Sequence, residues 1–279
     1  MSAWKTQPRV QPGIGNNQNH FVELISLDIL MKEWIWGKNP VYEVLRAGRR
    51  KAYQLRIAEG LQTEGRLGEI FRLAKDSSIP VSRVPREMLQ GINSHNQGIA
   101  VQVDEFKYVD LKSSLEGARK LNETPLILLL DTLKDPQNLG TLIRTAELVG
   151  VHGLVLPFRR TATVTPAVVN ASSGASEHLN ISQANLSQSL AFLKEEGLWV
   201  VGLEGGAEAQ PPDRVDLSGP LAVVVGSEAE GMRRLVKDSC DFLLQLPMRG
   251  KIDSLNAAVA GSVALYFVWQ ARGFQGALD

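Results

Sequence analysis

At 279 residues, with 44% hydrophobic and 22% charged residues, the chain has the length of roughly two domains and the apolar content of a folded protein rather than a disordered one. Its one cysteine, Cys240, excludes an internal disulfide framework and a cysteine-based zinc cluster, and the four histidines (His20, His95, His152, His178) show no metal-ligand spacing. Basic and acidic residues cancel at 30 each, but unevenly: residues 34–103 carry net +5 and 125–279 net −4, so a polyanion is the expected partner of the first region.

Residues 1–33 read as a flexible leader. Met1 to Asn19 is polar and rich in Gln, Asn, Pro and Gly, without the apolar core of a signal peptide, which fits a cytoplasmic, reducing location. Val22–Met31 is apolar enough for a short helix. A small α/β domain is expected over 34–103. It has a helix Pro40–Arg46 ending in the basic cluster Arg46, Arg49, Arg50 and Lys51. A strand Tyr53–Ala58, a helix Arg66–Asp76 and strands Ile79–Val84 and Gly98–Val103 follow. That basic cluster is the candidate RNA-binding surface, although such a cluster is also compatible with a solvated face. Residues 104–124 carry mixed signals and read as a linker with room for a helical turn or more.

The second domain spans 125–279. Residues 126–131 (LILLLD) form an apolar run suited to a strand buried on both faces. A helix Leu139–Val149, strand Gly153–Pro157, a helix from Pro166, strand His178–Ser182, helix Leu186–Glu196 and strand Leu198–Leu203 follow. After a long loop over 204–220 come strand Leu221–Val225, helix Met232–Asp238, strand Phe242–Leu246 and helix Ser254–Arg272. This alternation predicts an α/β fold with a parallel sheet covered on both faces. Residues 254–271 lack charge, but Ser254, Asn256, Ser262 and Gln270 interrupt them, so a buried helix is expected rather than a membrane span.

Ligands of open α/β sheets bind beyond the carboxyl ends of the strands. Three polar, glycine-bearing loops fall there: Asp135–Gly140 with Arg144 beyond it, Gly226–Gly231, and Pro247–Gly250 running into Ser254-Leu255-Asn256. Taken singly they have plain structural readings. Asn138 or Ser254 could cap a helix, Gly226 and Gly231 could be turn residues, and Arg144 could be a solvated helix position. Together they favour a site. Dinucleotide and P-loop glycine motifs are absent, as are a trusted carboxylate pair and a Ser-His-Asp set.

The stretches D-x-x-x-D-P-Q-N-L-G-T-L-I-R-T-A (131–146), V-V-V-G-S-E-A-E-G-M (223–232) and L-P-M-R-G-K-I-D-S-L-N-A-A-V-A (246–260) resemble the three ordered motifs of the SpoU/TrmH family. These are S-adenosylmethionine-dependent RNA ribose 2′-O-methyltransferases of the SPOUT superfamily. Ala257-Ala258 departs from the family's usual Val-Ser. W-G-K-N-P-V-Y-E-V-L (36–45) and N-Q-G-I-A-V (96–101) resemble its L30e-like RNA-binding domain.

The resemblance implies a trefoil knot in the second domain, S-adenosylmethionine as cofactor, no metal, and a homodimer with the site near its interface. The stripe Leu255, Val259, Val263 and Phe267 would then be core or dimer surface. It implies Arg144, Asn138, Glu228, Ser254 and Asn256 as catalytic residues, and Gly226, Leu246 and Leu255 as cofactor contacts. Arg144 would assist loss of the hydroxyl proton or stabilise the developing alkoxide. Glu228 would hold an arginine by a two-point pair. The implied substrate is RNA, with a guanosine of 23S rRNA as target. The same chemistry on tRNA, or a non-catalytic RNA-binding role in ribosome assembly, are the alternatives.

Overall fold

The structure, a computed structural model, describes residues 32–227, 231–252 and 254–277. Strands β1 (Lys32–Trp36), β2 (Ala52–Ala58), β3 (Val81–Val84) and β4 (Ile99–Asp104) form a sheet in the order β1-β4-β2-β3. Strand β2 runs parallel to β3 and antiparallel to β4. Alternation sends Leu55, Ile57, Ile99, Val101 and Val103 to one face. There they meet Val41, Val44 and Leu45 of α1 (Lys38–Ala47) and Leu67, Ile70 and Ala74 of α2 (Arg66–Asp76). Helix α2 has the bounds expected from the sequence. Strand β1 and the five-residue α3 (Arg86–Gln90) were not expected, being too short to show a period. The leader's expected helix, Val22–Met31, lies outside the described residues, as does Glu228.

The segment read as a linker holds the eleven-residue helix α4 (Leu111–Leu121). Asp110 caps it by accepting from the Lys112 N–H, and Asn122 ends it in the left-handed region. Leu111 and Leu115 pack onto Ile127, Leu129 and Val155, so this helix belongs to the layer covering the large sheet.

The large sheet has six parallel strands in the order β10-β8-β9-β5-β6-β7. They are β5 (Leu126–Leu130), β6 (Gly153–Leu156), β7 (Ile181–Gln183), β8 (Trp199–Leu203), β9 (Leu221–Val225) and β10 (Phe242–Leu244). Central β5 shows why an unbroken apolar run is needed. Leu126, Leu128 and Leu130 face a core shared with α5 (Pro136–Leu148) and α9 (Ala257–Ala271), while Ile127 and Leu129 face α4 and α7 (Leu186–Glu195). Helix α6 (Pro166–Ala171) lies against α5, where Gly140 sits too close to Ala171 for any side chain.

Several boundaries differ from the sequence reading, helix α5 among them, which starts at Pro136 rather than Leu139, and three have a clear local cause. Strand β7 begins at Ile181 rather than His178, because Ala175–Glu177 form a 3₁₀ turn that His178 N–H closes onto Ala175. Helix α8 is only Arg234–Lys237, because the Arg233 N–H is given to the Asp131 carboxylate and not to a helical ladder. Helix α9 starts at Ala257, because Asn256, not Ser254, is its cap. No helix among the described residues is long and apolar enough to cross a membrane.

Candidate active site

The carboxyl ends of β8, β9 and β10 open into a cavity of about 210 Å³. Its wall is apolar at Leu203, Val225, Leu246, Leu255, Ala257 and Ala260, and three glycines (Gly205, Gly226, Gly231) supply bare backbone. Glu204 is the charged side chain in the lining among the described residues, and it is paired with Lys237. Gly226 has a specific reason to be glycine. A Cβ there would overlap the Gly231 carbonyl carbon and lie 2.5 Å from Met232 N. The loop after β9 folds back this tightly because Ser227 and Gly231 exchange two backbone hydrogen bonds, of 3.0 and 3.1 Å. The glycine therefore serves close approach of two backbones.

The cavity gathers Gly226, Leu246, Leu255 and Ser254, four of the residues expected from the sequence. Asn138 and Asn256 come together beside it. Asn138 lies in the first turn of α5, capped by Asp135 over Pro136, so Asn138 is not itself the cap. Asn256 Oδ1 accepts from the Ala258 and Val259 N–H groups at the start of α9, and its Nδ2 donates to Asn138 Oδ1 at 3.1 Å. The motif loops after β5 and β10 are thus joined through one amide.

Arg144 is not in the cavity lining. It is exposed on α5 and donates to Ser173 Oγ at 3.2 Å, facing a second cleft. The two-point carboxylate–arginine pair seen in the site region is made by Asp131. This fully buried residue at the end of β5 accepts from Arg233 Nε at 2.7 Å and Arg233 N at 2.8 Å. It fixes the loop after β9 against the end of β5. The sequence signal was there, a carboxylate directly after five apolar residues, but nothing pointed to its partner 102 positions on. Glu204 and Gly205 sat unmarked in the long loop 204–220.

The basic cluster is divided. Arg50 is 5% exposed and lies against Glu177, which is 0% exposed, with Nε–Oε2 at 3.1 Å and Nη2–Oε1 at 2.5 Å. It also reaches Glu33 at 2.8 Å and lies over the Phe106 ring. Burial pushes the Glu33 carboxyl above its ordinary value, against the pull of Arg50. Arg49 donates to the carbonyls of Leu179 and His178 and to Asn180 Oδ1. These two arginines hold the small sheet to the large one, and the buried Arg50 has no surface to offer an RNA. Arg46 and Lys51 remain exposed.

Burial pushes the Cys240 thiol up to about 12, which keeps it protonated and unsuited to nucleophilic attack. No group of three or more His, Cys, Asp or Glu among the described residues is arranged to hold a metal ion. Leu255, just before α9, and Val259 and Val263 on it face outward and Phe267 is half-buried, while Ala258, Ala264, Leu265 and Val268 form the packed side.

This is an open α/β architecture with a cavity at the carboxyl edge of its parallel sheet, and comparison with known proteins gives its family. Residues 125–266 match the SpoU rRNA methylase family model, and residues 34–109 match the RNA 2′-O ribose methyltransferase substrate-binding model. YacO of Bacillus subtilis, assigned to the TrmH family of tRNA/rRNA methyltransferases, is 43% identical over 242 residues, covering 86% of this chain and 96% of its own. A protein assigned likewise in Staphylococcus aureus is 38% identical over 240 residues, covering 85% and 96%.

The SpoU methyltransferase AviRb of Streptomyces viridochromogenes, solved with AdoMet, superposes with a TM-score of 0.73 at 20% identity over 94% of this chain and 96% of its own. An AdoMet-bound rRNA methyltransferase of Sinorhizobium meliloti does so at 0.70 and 21%, over 95% and 98%. The chain belongs to the SpoU methylase family.

Proposed function

We propose that this chain transfers the methyl group of S-adenosylmethionine to a ribose 2′-hydroxyl of RNA. The observation that carries the reading is the cavity of about 210 Å³ formed where the family's second and third motifs close over the ends of β8, β9 and β10. Its composition suits this cofactor: apolar walls at Leu246 and Leu255 for the adenosine and bare backbone at Gly226 for close approach. When bound, the cofactor supplies a methyl group on a sulfonium that departs as a neutral thioether.

The chain's own residues then have two tasks, alignment and relief of negative charge on the hydroxyl oxygen. Ser254 and the Asn138–Asn256 pair orient the ribose at the mouth of the cavity. Arg144, six residues along α5 from Asn138 and facing the second cleft, stabilises the developing alkoxide. Glu228 completes the set by pairing an arginine.

Residues 34–103 form the L30e-like RNA-binding domain, with 104–124 joining it to the catalytic domain 125–279, whose last strand and helix thread a trefoil knot. The enzyme is cytoplasmic and acts on a guanosine of 23S rRNA. It works as a homodimer through the outward face of α9. Val263 and Tyr266, with Phe267 and Phe274, border an apolar groove of about 330 Å³ on that face, and Leu255 belongs to both the face and the cavity wall. The partner subunit would thus border the site.

The test is labelled methyl transfer to rRNA and tRNA from a strain lacking the gene, with modified positions mapped, beside calorimetry with S-adenosylmethionine. A 2′-O-methyl at one rRNA guanosine is the expected product. A methyl on tRNA alone corrects the target, and absence of both cofactor binding and transfer overturns the reading.

A further inference from the structure

A second, strongly polar depression of about 280 Å³ lies where the helices of the small sheet meet those of the large one. Arg46 of α1, Arg66 of α2 and Arg144 of α5 line it together with Glu43, Glu147 and His178. Glu43 is shared, accepting from His178 Nε2 at 2.8 Å and lying 3.4 Å from Arg46. Arg66 Nη1 also pairs with Glu69 Oε2 at 2.9 Å, but a guanidinium carries five N–H donors, so Arg46 and Arg66 each keep donors beyond the one their carboxylate takes. The Arg66 guanidinium carbon lies over the Tyr42 ring, 4.0 Å from its centroid, which fixes the plane while the side chain stays 44% exposed. The Arg46 side chain is 60% exposed.

The spacing of these groups is also set. A Cβ on Gly174 would lie 2.5 Å from Glu43 Cβ, so α1 rests directly on the turn whose Ser173 holds Arg144. Arginines from the two sheets are thereby held around one cleft by direct contact. Planar guanidinium forks match phosphate oxygens, and phosphate contacts fix the position of a nucleic acid without reading its sequence.

Resting on the methyltransferase reading, we infer that this cleft seats the phosphodiester backbone of the RNA beside the nucleotide being methylated, with Arg66 and Arg46 as positioning residues and Arg144 at the ribose. A strand bound to the small sheet's helices reaches Arg144 through this cleft, and the two outer arginines hold its register. The RNA chosen by one half of the protein is in this way presented to the chemistry of the other.

The full chain is assayed with rRNA and tRNA from a strain lacking the gene, comparing wild type with Arg66→Gln, Arg46→Gln, the double variant, and Arg86→Gln on α3 outside the cleft. The double variant should raise KM for RNA about tenfold or more while kcat moves far less. The slope of log affinity against log salt should shrink by about 0.7 to 0.9 per lost phosphate contact. Arg66→Lys should recover only part of the loss, because it keeps charge without the fork. Unchanged KM and salt slope in the double variant would overturn the proposal, as would an equal loss in Arg86→Gln. If the wild type itself neither binds S-adenosylmethionine nor methylates RNA, the functional reading falls instead, and binding of the same RNA by fluorescence anisotropy still tests the cleft.

Discussion

The cavity at the carboxyl ends of β8, β9 and β10 and the seam between the two sheets are built on opposite plans. The cavity is made of short runs at strand ends: Gly226 folds backbone against backbone with Gly231, apolar side chains of the same loops wall it, and the loops meet at the edge of one parallel sheet. The seam is made of long side chains, Arg49 and Arg50 on one side and Glu177, Asn180 and the carbonyls of residues 178 and 179 on the other. Loop-built sites need particular residues in short runs, and such runs can be seen in a sequence. Side-chain seams need only two charged residues that happen to meet 127 positions apart, and nothing local marks them.

Replacing Arg144 tests whether chemistry needs the seam side at all. Arg144→Ala should slow methyl transfer by about 10² to 10⁴, the usual worth of a positioned charge-stabilising group. S-adenosylmethionine affinity by calorimetry should stay within a few-fold. Near-wild-type single-turnover rates would remove Arg144 from the mechanism.

Gly226→Val attacks the cavity alone. Its clash is with backbone, which cannot swing aside, so cofactor affinity should fall by roughly a hundredfold, about 2.7 kcal/mol. RNA affinity by anisotropy should survive. Parallel loss of both would mean that the cavity and the seam are not separable.

Glu177→Gln attacks the seam. It removes one partner of a buried pair, a change that typically costs about 3 kcal/mol or more. Glu33 still contacts Arg50 at 2.8 Å, which keeps the effect at the low end. Denaturant unfolding measures it, and a change under 1 kcal/mol would show that the seam contributes little to stability.

The smallest effect concerns His152, at the opposite edge of the large sheet. Its Nδ1 accepts from the Leu126 N–H at 3.1 Å and its Nε2 faces Glu123 at 3.0 Å. Burial lowers its pKa below the ordinary 6.5, so the folded state prefers the neutral ring. The unfolded chain then binds more protons just below pH 6.5, and stability is lost as pH falls through that range. Thermal melts between pH 7.5 and 5.5 should show a shallower decline for His152→Gln than for wild type. Glu33, raised by burial, acts with the opposite sign starting nearer pH 4.5, and subtracting the variant's curve removes it.

The same contrast explains what could be read in advance. The parallel sheet and its two-sided burial follow from runs such as 126–131, and the glycine-bearing loops after strands mark Gly226, Ser254 and Leu255, whereas Leu246 and the cofactor roles come only from the resemblance to the SpoU/TrmH motifs. The basic run ending α1 was legible as charge, but charge does not say which way a side chain turns. Arg50 turned inward to Glu177 while Arg46 stayed in water. Asp131 with Arg233, and Arg66 over Tyr42, depend on elements brought together only by the finished fold.

Asn256 spends both ends of its amide: the oxygen closes the first turn of α9 and the nitrogen reaches Asn138. Aspartate would keep the cap but set a second acceptor against the Asn138 oxygen, and serine would keep a cap but be too short to reach across. Position 256 is therefore one where evolutionary drift has nowhere to go by a single conservative step. A change at 256 disturbs position 138 as well, so the two asparagines are expected to vary together.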